Sequence, residues 1–153
     1  MHHIRVFGDE RILAFCTFCG AKTSTRDHCP SRVLLDKPYP NHLPRVPACR
    51  KCNQSFSLDE EYFACLISCV LAGSTDATKI TRPKIRRILK KRPRLAVRLE
   101  KNCIRVHDRI VFRTEDDRVR RVVIKLARGH VLHELHELCL HPPSSIVMNR
   151  SKA

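Results

Sequence analysis

The sequence predicts an α+β fold: a small zinc-stapled unit of two short strands and a helix, followed by a basic helical and strand-plus-helix extension. Three observations lead there. Two Cys-x-x-Cys pairs, Cys16/Cys19 and Cys49/Cys52, frame a polar stretch with short apolar runs. After Ser57 the apolar residues fall at helical spacing. From Lys79 to Lys101 eleven of 23 residues are Lys or Arg and only Glu100 is acidic, so the composition changes sharply. These breaks divide the chain into 1–75, the zinc-stapled unit, 76–102, a basic connector, and 103–153, a strand-plus-long-helix region.

Taken in order, IRVF and ILAF, split by Gly8-Asp9-Glu10, read as a hairpin or a disordered start. Cys16 to Gly20 forms the first zinc turn, with Gly20 suited to a positive φ. Thr23 to Arg26 leads as a strand into Asp27-His28, and SRVLLD after Pro30 is a strand or a helical turn. Three prolines from Pro38 to Pro44 make the next segment a loop, because proline cannot donate to a ladder. Val46 to Cys49 enters the second zinc turn. Ser57-x-x-Glu60 has capping-box spacing, so a helix is expected from Leu58 to Gly73, carrying Tyr62, Phe63, Leu66, Ile67, Val70 and Leu71. Two short basic helices meet at Pro93, and CIRVHDRIVFR pairs about His107-Asp108. The last helix opens at Thr114 to Asp117, where acidic residues suit its positive end, and runs to Pro142-Pro143 with Gly129 a mild interruption. Its expected inner face is Val119, Val122, Val123, Leu126, Val131, Leu135 and Leu138.

Thirty Lys and Arg against fifteen Asp and Glu give a net charge of +15. A field of that sign attracts polyanions, and phosphate neutralisation dominates nucleic-acid affinity. Charge alone says nothing of catalysis. The nine cysteines are an odd number arranged partly as Cys-x-x-Cys, and the N-terminal residues lack a secretory pattern. The expectation is a reducing, intracellular (cytoplasmic) location with no membrane partner.

Two thiolates on one tight turn reach the same tetrahedral ion, and two such turns close it, so Cys16, Cys19, Cys49 and Cys52 are expected to hold a structural zinc. Cys65 and Cys69, four apart on a helix, read as core residues, and Cys29, Cys103 and Cys139 stand at other spacings. His130, His133 and His136 do not follow the zinc-protease order and read as helix-surface residues.

The ordered set Cys-x-x-Cys, Asp27-His28-x-Pro30, Cys-x-x-Cys-Asn53 resembles the HNH endonucleases, in the branch whose motif is pinned by a four-cysteine zinc. The likeness covers about fifty residues. It implies a treble-clef-like ββα-metal unit that hydrolyses phosphodiester bonds, most naturally in DNA, leaving a 5′ phosphate. On that resemblance His28 is the general base, and Asp27 and Asn53 hold one Mg²⁺ or similar divalent ion. Oxygen donors suit such a hard ion while thiolates keep zinc. Arg50 and Lys51, with Lys84, Arg86, Arg87, Lys90 and Lys91, are the expected phosphate contacts. The chain also departs from the pattern. Pro44 stands where the family usually has a bracing Asn, which leaves Asn41 or His42 for that work, and the third ligand is open among Asp59, Glu60 and Glu61. The alternative is a catalytically inactive zinc-binding nucleic-acid-binding protein.

Overall fold

The computed structural model describes residues 10–143. The expected apolar run Ile4 to Phe7 and the tail beyond Pro143 lie outside them. The chain is mixed α and β, with two separate two-stranded antiparallel sheets. Its first sheet pairs β1 (Thr25–His28) with β2 (Arg45–Ala48), Thr25 opposite Ala48 and His28 opposite Arg45. The second pairs β3 (Cys103–Val106) with β4 (Arg109–Phe112), turning at His107-Asp108 as the alternation implied, with His107 at φ 54°.

Among the described residues there are six α-helices: α1 (Glu10–Leu13), α2 (Arg50–Ser55), α3 (Ser57–Ala72), α4 (Pro83–Lys91), α5 (Pro93–Lys101) and α6 (Asp116–His130). A 3₁₀ turn covers Arg32–Leu34, so SRVLLD is a helical turn and not a strand. The described part of the expected N-terminal hairpin, at Ile12 and Leu13, is the end of the short helix α1. Pro83 and Pro93 each open a helix, where the missing N–H has no partner to lose, and so the elbow between α4 and α5 falls at Arg92-Pro93.

Helix α3 starts within one residue of expectation, but the capping box does not form. Helix α2 runs through Phe56, itself helical, into α3, so the Asp59 and Glu60 N–H groups already bond the Phe56 carbonyl and leave nothing for a cap. Ser57 Oγ instead donates to the Gln54 carbonyl. The α3 C-terminus follows expectation, with Gly73 at φ 57° and its N–H returned to Val70. Its buried face is not the one expected. Tyr62 and Leu66 are buried with Ala64, Cys65 and Cys69, whereas Ile67, Val70 and Leu71 face outward.

Helix α6 is also shorter than expected. It passes into a π turn (Val131–Leu135) and stops at His136, whose φ of 57° ends the helix before the prolines. Val122, Lys125, Gly129 and Leu132 are buried, and Val123 and Leu135 are exposed, which rotates the inner face from the expected one. Gly129 is no interruption. A Cβ there would sit 2.3 Å from Cys29 Sγ, so glycine is what lets α6 lie against Cys29.

Two cores result. One gathers Tyr62, Leu66, Ile80, Ile85, Leu89, Leu99 and Val119, and thereby crosses both expected domain boundaries, at 75 and at 102. The other gathers Cys16, Phe18, Cys29, Val46, Ala48 and Leu132. Helix α6 contributes to both, so the C-terminal region packs back on the cysteine-bearing unit.

Candidate metal centre and the Asp27-His28 strand

Cys16, Cys19, Cys49 and Cys52 converge as their spacing implied. Their sulfurs all lie within 4.8 Å of one another. Four sulfurs at about 2.3 Å around a tetrahedral ion stand about 3.8 Å apart, and Cys19 Sγ and Cys49 Sγ are 3.8 Å apart. The cluster therefore fits a metal ion such as zinc. Two turns build it. The Gly20 N–H bonds the Cys16 carbonyl with Gly20 at φ 74°, and Cys49 caps α2, its Sγ accepting from the Cys52 N–H. That bond, ahead of the neighbouring thiols, pulls the Cys49 pKa down to about 7, while burial raises those of Cys16 and Cys52. Among the described residues this is the one group of three or more His, Cys, Asp or Glu ligand atoms close enough for a metal.

The cluster fixes the hairpin to α2. Thr17 Oγ1 donates to the Pro47 carbonyl at 2.8 Å, and the Ser24 N–H to the Ala48 carbonyl. Asn53, one residue past the last ligand, donates from Nδ2 to Thr25 Oγ1 at 3.1 Å and, at 3.5 Å, to the Arg26 carbonyl. Strand alternation puts Thr25 and Asp27 on one face and Arg26 and His28 on the other. Asn53 is thus docked on the strand that carries the Asp27-His28 pair, beside the residue that shares Asp27's face. A hollow of about 370 Å³ lies next to Thr23, Ser24, Thr25 and Arg26. Pro44 anchors the loop through its carbonyl, which accepts from the Cys29 N–H, and Asn41 and His42 are exposed.

Asp27 is committed elsewhere. Its carboxylate is buried, with Oδ2 2.6 Å from Lys125 Nζ, an ion pair whose angle falls outside directed hydrogen-bond geometry. Lys125 also bonds Glu60, which accepts from Ser31 Oγ at 2.8 Å. A lysine ammonium therefore already neutralises the Asp27 carboxylate through Oδ2. The candidate third ligands are occupied too. Asp59 holds Arg118 at 2.6 Å and Arg121 at 2.8 Å, Glu60 holds Lys125, and Glu61 holds Arg92 at 3.0 Å. In this arrangement the residues do not fit a hard divalent ion at Asp27 and Asn53.

Of the expected phosphate contacts, Arg50, Lys51, Arg87, Lys90 and Lys91 are exposed and Arg86 is half-buried. Lys84 is spent on the fold. Its Nζ donates to the Arg32 and Leu35 carbonyls and to Tyr39 Oη, all within 2.9 Å. His130, His133 and His136 form no such metal group.

Lys125 is the residue that sequence reasoning missed. The signal was a lysine three residues after Val122 and four before Gly129, inside a buried stripe of α6. No helix of the described residues is long and apolar enough to cross a membrane. Comparison with known proteins brings no family to this chain: no family model matches it, and neither does any curated protein or solved structure.

Proposed function

We propose that the chain is a nucleic-acid endonuclease of the HNH type, built on a treble-clef-like ββα-metal unit whose four cysteines hold a structural zinc. The observation that carries this reading is the Asn53 side chain bonded to Thr25, on a strand and helix tied together by the cysteine cluster. It sets Asn53 against the strand that carries Asp27 and His28. His28 ends β1 and shares its face with Arg26, beside which the hollow lies. An imidazole is neutral near pH 7 and can take a proton from water attacking phosphorus. The net charge of +15 supplies affinity for the polyanion. Lys125 holds Asp27 and would have to release it before that carboxylate could bind a divalent ion.

That same ion pair favours a second reading, a zinc-folded protein that binds nucleic acid without cutting it. Turnover separates the two. Zinc-loaded protein is incubated with supercoiled plasmid and Mg²⁺ beside a His28→Ala variant. Nicking by the parent and not by the variant supports the endonuclease. Equal silence with undiminished binding supports the binder, and equal nicking removes His28 from the chemistry.

A further inference from the structure

Several cations gather in one groove away from the four cysteines. Where α4 turns into α5, a groove of about 430 Å³ opens between the Arg92-Pro93 elbow, the first turn of α3 and the first turn of α6. Five cations line it, Lys91, Arg92, Arg94, Arg98 and Arg118, against one carboxylate, Glu61. Arg92 pairs with Glu61 at 3.0 Å, Arg98 lies 3.5 Å from Glu115, and Arg118 pairs with Asp59. Lys91 and Arg94 are exposed and have no ion pair or hydrogen bond from their side chains among the described residues.

The backbone adds to that charge. Helix α5 begins here with no side-chain cap and no acidic residue in its first turn. A helix start carries a partial positive charge; here Pro93 has no N–H and the Leu95 and Ala96 N–H groups bond the Arg92 carbonyl, which leaves the Arg94 N–H as the backbone donor of that turn. The rest of the wall is apolar: Pro93, the half-buried Leu95, and Leu58, 56% exposed. A small inorganic anion needs no such wall. A nucleotide does, because its base and sugar lie beside its phosphate, and a base lying on an apolar wall has left the duplex.

We infer that this groove receives one nucleotide of a single-stranded stretch of nucleic acid, its phosphate on Lys91, Arg94 and the first turn of α5, and its base or sugar on Leu58, Pro93 and Leu95. The inference rests on the nucleic-acid part of the function proposed above and not on hydrolysis. It adds an anchoring point lined by none of the residues of the cysteine cluster or its strands.

The test is fluorescence anisotropy of the full-length, zinc-loaded protein with a short labelled single strand, at several salt concentrations. Lys91→Ala with Arg94→Ala is expected to weaken binding about tenfold and to flatten the dependence of log K on log salt by about 0.7, the value for one phosphate charge no longer neutralised. Leu58→Ala is expected to weaken binding about threefold through reduced apolar burial, with the salt slope unchanged. Both cations are exposed and unpaired, so far-UV circular dichroism should match the parent. A control removes the same charge from the second hairpin, Arg105→Ala with Arg109→Ala, and should change affinity less than twofold. Equal weakening by groove and hairpin pairs would overturn the site in favour of bulk charge. So would unaltered binding by the groove pair, or displacement of the strand by micromolar inorganic phosphate or adenosine monophosphate, which would make it a small-anion pocket. Failure of the endonuclease reading looks different: the parent would not nick plasmid, while strand binding would still depend on the groove.

Discussion

Lys125 of α6 and Asp27 of β1 form a buried ion pair, Nζ to Oδ2 2.6 Å, with 3% and 9% of the two side chains exposed. The pair ties the last long helix to the strand that carries the candidate base. Around it the ammonium meets Glu60 and lies 5.7 and 5.2 Å from the ring centres of Phe18 and Phe56. A cation in so dry a place is held by its two carboxylates, and they by it. Removing one partner of such a buried group typically costs about 3–5 kcal/mol, because the uncompensated charge stays behind. Lys125→Met is expected to lower unfolding free energy by about that much in urea titration, and Glu60→Gln added to it should restore part of the loss. A change within about 0.5 kcal/mol would mean that the pair carries no stability.

Gly129 gives a test with an unusual sign. On helix propensity alone Gly129→Ala should stabilise by about 1 kcal/mol. The Cβ would instead fall 2.3 Å from Cys29 Sγ and 3.0 Å from Cys29 Cβ. Overpacking of this kind costs about 1–3 kcal/mol, so the variant should be destabilised. Cys29→Ala in the same chain should relieve it. A double-mutant cycle with no coupling would show that α6 does not approach Cys29 this closely.

Burial pushes the Cys29 thiol up to about 11, Cys65 to about 12 and Cys69 to about 11, from an ordinary value of 9.0. Each is an acid whose folded pKa lies above its unfolded one, so its contribution to stability is complete below pH 9 and is lost as pH rises toward the folded value. Urea midpoints should therefore fall between about pH 9 and 11. In the native protein at pH 8 these three thiols should resist iodoacetamide, whereas exposed Cys139 should be alkylated quickly. Rapid alkylation of Cys65 or Cys69 in folded protein would contradict the packing of α3.

Lys84 should behave as a structural residue. Its three hydrogen bonds join α4 to the loop after the 3₁₀ turn, and the one to Tyr39 Oη holds the phenol below its usual pKa. Lys84→Ala is expected to cost about 1.5–3 kcal/mol, the range for hydrogen bonds from a charged group. Affinity for nucleic acid should change less than for Lys91→Ala. The reverse order would return Lys84 to the phosphate-binding set.

How much of this was legible in the sequence follows from the range of the interactions involved. The cysteine cluster, the hairpin about His107-Asp108, the elbow at Pro93 and the stop at Gly73 rest on residues close in sequence whose geometry is local. The face of α3 was not legible, because Ile67, Val70 and Leu71 are as apolar as Leu66, and only the positions of α4, α6 and the 3₁₀ turn decide which side is covered. Nor was the fate of Glu60. Its spacing from Ser57 suits a cap, but α2 continuing through Phe56 removed the need for one, and Lys125, 65 residues away in sequence, claimed the carboxylate. Asp27 and Asn53 stand out in the sequence only through the family resemblance, and what Asp27 touches is a tertiary fact.

The claim on which the rest depends is that four sulfurs bind one ion and so hold Asn53 against β1. Cobalt titration of the reduced, metal-free protein tests it most directly, followed by visible absorption. The expected result is saturation at one cobalt per chain with the bands of a tetrahedral four-thiolate site, weakened by serine at Cys16, Cys19, Cys49 or Cys52 and unaffected by serine at Cys139. Titration with no tetrahedral bands, or with bands that survive loss of those cysteines, would contradict it.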